Sequence, residues 1–107
     1  MPVKLSYQKL VIKEINRKIE PKTYPSLFPM WDNSARKKGK DALIYINSTP
    51  TLFGKWLLNI KEKYIPFSTE ENFIFINAWN EWAEGNHLEP CAKWGKQYLE
   101  EIKKVLL

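Results

Sequence analysis

The chain has 107 residues, with 17 Lys and Arg against 12 Asp and Glu (formal charge +5), 44% hydrophobic residues and five tryptophans, a composition that excludes disorder. No apolar run approaches the roughly 18 residues that cross a bilayer and the N-terminus lacks the apolar centre of a signal peptide, so no transmembrane segment and a cytoplasmic location are expected. The single Cys91 excludes an intrachain disulfide, and one His with no Cys/His cluster excludes a structural zinc site, so neither metal nor cofactor is expected.

From about Ser6 to Lys18, Tyr7, Val11, Ile15 and Ile19 recur every four positions with Leu10 alongside, which predicts an amphipathic helix broken at Glu20-Pro21. Tyr24-Pro25-Ser26-Leu27-Phe28-Pro29-Met30 reads as a short extended segment whose prolines remove ladder donors. Trp31-Asp32-Asn33-Ser34 follows. Asp-Asn-Ser is turn chemistry, so Asp32 is either a turn former or a site residue, and Trp31 either covers a core or offers a binding surface. Charge is uneven: residues 1–63 carry +8 and residues 64–107 carry −3. The dense basic cluster Arg36-Lys37-Lys38-Gly39-Lys40 has the charge to meet phosphates, yet no nucleic-acid motif accompanies it. It reads as a solvated loop, and no nucleic-acid partner is expected.

Ala42-Leu43-Ile44-Tyr45-Ile46 is a brief apolar run of strand character, expected as a small excursion. Thr49 and Pro50 form a cap and first-turn pair, after which Phe53, Trp56, Leu57, Ile60 and Tyr64 line one face of a helix that should end near Tyr64, before Pro66. Phe73-Ile74-Phe75-Ile76 is the clearest strand, and its unbroken apolar run predicts a parallel strand covered on both faces. In the last segment Trp94, Tyr98, Ile102 and Leu106 again recur every four residues, a helix stripe expected to pack on that strand. There are no internal repeats or linkers.

Directly after the clearest strand comes Asn77-Ala78-Trp79-Asn80-Glu81-Trp82-Ala83-Glu84-Gly85. Two carboxylates lie three residues apart among two indoles and two side-chain amides, a costly mixture beside a buried strand unless the charges are paired, hydrogen-bonded or used. Neighbouring carboxyl groups can divide into a protonated acid and an ionised base, nucleophile or electrostatic stabiliser, the arrangement of glycoside hydrolysis. The indole faces of Trp79 and Trp82 match the C–H faces of sugar rings, and Asn77 and Asn80 offer donors and an acceptor to hydroxyls. The plain alternative is a solvated loop whose tryptophans cap a core, because Glu at i and i+3 is common on ordinary helix surfaces. Position favours the site: α/β proteins bind ligands beyond the C-terminal ends of their strands. Gly85 can take a positive φ and turn the backbone. His87 and Glu89 follow before Pro90, and His87 is either a sugar contact or proton carrier, or a solvated loop residue.

Phe75 to Gly85, followed by His87-Leu88-Glu89-Pro90, closely resembles the C-terminal signature of the WbsX-like glycosyltransferase family, itself similar to the endo-α-mannosidases of glycoside hydrolase family 99. Phe28-Pro29-Met30-Trp31-Asp32-Asn33 looks like the family's earlier Trp-Asp-Asn element, and Ser48 to Leu57 like the helix that follows it. The resemblance runs from about Tyr24 to the C-terminus. It implies a (β/α)₈ barrel of TIM type, with Trp31, Asp32 and Asn33 at the site-bearing end of the seventh strand. It also implies that Glu84 is the general acid or base at the glycosidic oxygen. Glu81 would assist the sugar 2-hydroxyl in attacking its own anomeric carbon, through an anhydro-sugar intermediate. The pattern departs at Cys91, where an acidic residue is expected after Leu-Glu-Pro, which touches a peripheral contact rather than the two glutamates.

Such a barrel takes about 250 residues, so 107 would supply only its last βα units, one partial domain over residues 1–107 with exposed strand edges open to self-association. Two functions follow. In the first, the chain is part of a carbohydrate-active enzyme of polysaccharide or O-antigen metabolism, transferring or hydrolysing glycosyl groups on a glycan or sugar-nucleotide substrate. Its catalytic residues are Glu81 and Glu84, and its sugar contacts are Trp31, Asp32, Asn77, Trp79, Asn80, Trp82, His87 and Glu89. In the second, it is a non-catalytic remnant or carbohydrate-binding piece that keeps the aromatic platform alone.

Overall fold

In the computed structural model, which describes residues 1–107, the Ser6 hydroxyl accepts from the Lys9 amide at 3.2 Å and caps helix α1, Tyr7–Ile15. The helix stops sooner than the apolar period suggests because Asn16 folds back on it. The Asn16 backbone and side-chain N–H groups both donate to the Ile12 carbonyl, at 3.2 and 3.0 Å. Ahead of α1, Val3–Ser6 forms strand β1, for which the sequence carries no local signal: its order comes from parallel pairing of Val3 opposite Leu43 through Ser6 opposite Ile46.

Three small sheets result. Leu43–Ile46 is β4, the middle strand of the order β1-β4-β3, where β3 is Trp31–Asp32 and runs antiparallel to it. The apolar run at Ala42–Ile46 is therefore a central strand and not an excursion. Ser26–Leu27 (β2) pairs in parallel with Phe75–Ile76 (β5), and Asn80–Glu81 (β6) pairs antiparallel with Asn86–His87 (β7). Between β4 and β5 lies helix α2, Pro50–Lys63, with Thr49 Oγ1 accepting from the Leu52 amide at 3.2 Å and Pro50 in the first turn. Helix α3 spans Gln97–Leu106. The fold is thus mixed α/β, with three helices and no helix long and apolar enough to cross a membrane.

Helix α2 forms the middle of the core. Its Phe53, Trp56, Leu57 and Ile60 meet Tyr7 and Val11 of α1, Leu27 of β2, Leu88, and Tyr98 and Val105 of α3. The Tyr7 hydroxyl donates to the Phe28 carbonyl at 2.7 Å, fixing α1 to the chain leading into β3. Gly54 faces α3, and the end of the Glu101 side chain lies over it. Trp94, Tyr98 and Ile102 of the expected stripe pack on the core as the period suggests, and Leu106 does not. Tyr98 and Val105, two turns apart, are buried, whereas Leu106 is 38% exposed and Trp94 precedes the helix. Trp94 lies outside the helix because the tight turn Cys91–Gly95, in which Gly95 takes φ +56°, delays the helix start.

Strand β5 is covered on one face only. Ile74 and Ile76 pack on the core, while Phe73 and Phe75 are half exposed and cluster with Tyr24 at ring separations of 5.6–6.2 Å. An unbroken apolar run here marks a strand whose second face meets only its own aromatic neighbours.

Candidate functional site

Beyond β5 the chain folds into a tight hairpin. Strand β6 carries Asn80 and Glu81, a single 3₁₀ turn carries Trp82–Glu84, Gly85 turns the backbone at φ +54°, and β7 returns with Asn86 and His87. The Trp79 carbonyl accepts from the amides of both Leu88 and Glu89 at 2.9 Å, which closes the base of the hairpin. Gly85 is required twice over. Its φ is left-handed, and a Cβ built there would lie 2.8 Å from the Asp32 carbonyl oxygen and 2.9 Å from Asp32 Cβ. That close approach brings the Trp31-Asp32 strand against the signature hairpin, two segments separated by about fifty residues of sequence.

Three predicted residues form one contact set. The Trp82 and His87 rings stack with centroids 3.7 Å apart, and the Trp82 indole N–H donates to Glu89 Oε1 at 2.9 Å. His87 Nδ1 lies 3.0 Å from the Glu89 backbone carbonyl, which only accepts, so this contact puts a proton on Nδ1. His87 is thereby largely buried rather than a solvated loop residue. Glu84 is also held: its carboxylate pairs with Arg36 Nη1 at 2.5 Å, and its side chain is only 18% exposed. Arg36 reads as part of a solvated basic run, so sequence alone gave no sign of this partner. The link exists because Arg36 and Lys37 donate their amides to the Asn33 carbonyl at 3.0 and 2.9 Å, winding the loop after β3 toward the hairpin.

Glu81 is exposed and makes no ion pair or side-chain hydrogen bond, and Asn80 is exposed beside it. Trp79 is half exposed, as is Trp82, one of whose faces is covered by His87. Asn77 lines a different hollow, beside Leu10, Arg17, Phe28 and Trp56, and does not join the hairpin residues. Trp31, Asp32, Gly85 and His87 instead share a cleft of about 310 Å³ with Tyr45, Ser48, Lys93 and Trp94. Asp32 is both turn former and cleft residue: its Oδ1 accepts from the Ser34 amide at 2.9 Å and hydroxyl at 2.5 Å. Asn33 is structural, bonding the Leu43 amide through its side chain at 2.6 Å. Asn86 is fully buried with neither side-chain amide atom partnered, a feature that an Asn beside a glycine does not signal in sequence. No three His, Cys, Asp or Glu side chains gather where they could hold a metal ion.

The family model for the glycosyltransferase WbsX matches residues 1–102. An uncharacterized protein WxcX of Xanthomonas campestris pv. campestris strain B100 is 38% identical over 84 residues, which is 78% of this chain and 12% of the relative. The WxcX protein of strain ATCC 33913 of the same pathovar matches to the same extent, so the chain spans about 12% of the length of these curated relatives. No solved structure matches. The residues matched by the family model take in both the Trp-Asp-Asn segment and the hairpin, and this chain belongs to the WbsX glycosyltransferase family, a family of carbohydrate-active enzymes.

Proposed function

We propose that this chain is the C-terminal part of a glycan-processing enzyme in which Glu81 and Glu84 are the reacting carboxylates. The observation that carries the reading is the hairpin itself, which presents one free carboxylate, one arginine-held carboxylate and two half-exposed indoles. In this reading Glu84, once it has left the Arg36 ion pair and taken up a proton, gives that proton to the departing glycosidic oxygen, and Glu81 takes the proton of the sugar 2-hydroxyl as that oxygen attacks the anomeric carbon. Trp79 and Trp82 carry the sugar ring, and Trp31, Asp32, Asn80, His87 and Glu89 are its further contacts, while Asn77 faces another hollow and drops out of the set. Residues 1–107 form a partial domain, the last βα units of a (β/α)₈ barrel. The barrel reading draws on β2 and β5, parallel neighbours between which the chain passes through β3, β4 and then α2. The substrate is a glycan or sugar nucleotide of polysaccharide metabolism.

The second reading, a carbohydrate-binding piece without turnover, draws on the small share of the relatives that the chain spans. Oligosaccharide-array binding by the 107-residue chain tests what the two readings hold in common. Binding that falls at least tenfold in Trp79→Ala and persists in Glu81→Gln and Glu84→Gln is the expected result. A chain that binds no glycan, or a Trp79→Ala variant that binds like the parent, would overturn the sugar site.

A further inference from the structure

We propose that the cleft between β4 and the Cys91–Trp94 turn is a second sugar subsite, which makes the substrate at least a disaccharide. The inference rests on the carbohydrate reading of the hairpin and extends it to the size and charge of the substrate. At about 310 Å³ the cleft sits at the lower end of small-molecule sites, room for one uncharged ring unit rather than a nucleotide.

Its lining has the chemistry of a pyranose site. Trp31, Tyr45 and Trp94 supply aromatic surface for a C–H face, while Asp32 and Ser48 supply hydrogen-bonding groups for hydroxyls. The Ser34 bonds occupy Asp32 Oδ1 and leave Oδ2 without a protein partner. Lys93 also lines the cleft, held with Nζ 5.0 Å from the centre of the Trp94 ring and paired with no carboxylate. One carboxylate and one ammonium leave the lining with no net charge, which suits a neutral hydroxylated ring better than a phosphate.

Continuity with the hairpin comes from two residues. His87 lines the cleft and stacks on Trp82, and Gly85 lines the cleft while abutting Asp32. A glycan lying on Trp82 therefore continues past His87 into the cleft.

The five indole N–H signals of the ¹⁵N-labelled chain separate the possibilities in one titration. Trp79 and Trp82 report the hairpin, Trp31 and Trp94 the cleft, and buried Trp56 serves as the internal reference. The probes are the methyl α-pyranosides of mannose, glucose, galactose and rhamnose and their α-linked disaccharides. The expected result is a disaccharide that shifts Trp31 and Trp94 together with Trp79 and Trp82, and binds at least tenfold more tightly than its monosaccharide. Shifts confined to Trp79 and Trp82 would overturn the second subsite and leave the hairpin reading standing. No shift of any indole with any probe would overturn both.

Discussion

Replacing Gly85 with Ala should be among the most damaging single-methyl changes in this chain, and the size of the effect follows from its neighbours. The left-handed backbone alone costs an alanine about 1–2 kcal/mol. The added Cβ would also meet the Asp32 carbonyl oxygen at 2.8 Å and Asp32 Cβ at 2.9 Å. Asp32 lies in β3, paired with Ile44 of β4, so the obstacle is sheet backbone that cannot rotate away. Overpacking of this kind costs about 1–3 kcal/mol more, for a total of about 2–5 kcal/mol. Gly39 and Gly95 provide the control: their φ values are +60° and +56°, yet an added Cβ at either meets nothing within 4 Å. Each should lose only about 1–2 kcal/mol on substitution by Ala, from the backbone alone. Urea denaturation of the three variants measures the difference directly, since changes in the unfolded chain are shared. Equal losses at all three sites would refute the close approach of the hairpin to β3, and with it the joining of Trp31 and Asp32 to the signature.

Other substitutions probe the frame that holds the site. Phe53→Ala empties a fully buried position against Tyr98 and should cost about 3–5 kcal/mol in urea denaturation, a large part of the stability of a domain this size. Thr49→Ala removes the cap of α2 and should cost about 1 kcal/mol, with Thr49→Ser recovering most of it. Burial pushes the Tyr98 hydroxyl up to about 12, with the nearby Ser48 hydroxyl opposing and Cys91 adding to the rise, and burial also raises Tyr7. Both folded phenols stay neutral where unfolded tyrosines ionise, near pH 10. Their contribution is complete below that pH and is lost as pH climbs from about 10 through 12, so the urea midpoint should hold flat to pH 9 and then fall. Tyr98→Phe should flatten part of that fall, read from midpoints at pH 8, 10 and 11.

What the sequence made legible were features with local causes. The α2 helix is legible because Thr49-Pro50 starts it and its apolar residues share a face, and the β5 strand because Phe73 to Ile76 is an unbroken apolar run; of the hairpin only the turn at Gly85 was legible. Features set by distant partners were not. Strand β1 exists through its pairing with β4, and the central place of β4 depends on β1 and β3 meeting it from either side. The Arg36–Glu84 pair joins residues 48 positions apart, and a basic run looks the same whether solvated or paired. The cleft drew Tyr45, Ser48, Lys93 and Trp94 from segments that read as core or surface. In the candidate site Trp82, His87 and Glu89 were each legible as candidates, but their contact with one another was not. Asn77 was not separable from them, because one residue after a strand end decides which side of the sheet it serves.

The central claim is that Glu81 and Glu84 perform the chemistry, and turnover in a family-length polypeptide measures it most directly. Residues 1–107 would replace the matching segment of a Xanthomonas relative, with sugar release and transfer followed by mass spectrometry on oligosaccharide and sugar-nucleotide substrates. General acid–base groups typically contribute about 10²–10⁴-fold to rate. Glu81→Gln and Glu84→Gln should each lower kcat by at least about 100-fold while glycan affinity stays within a few-fold of the parent. Turnover in both variants within a few-fold of the parent would contradict the assignment and leave the hairpin as a binding surface alone.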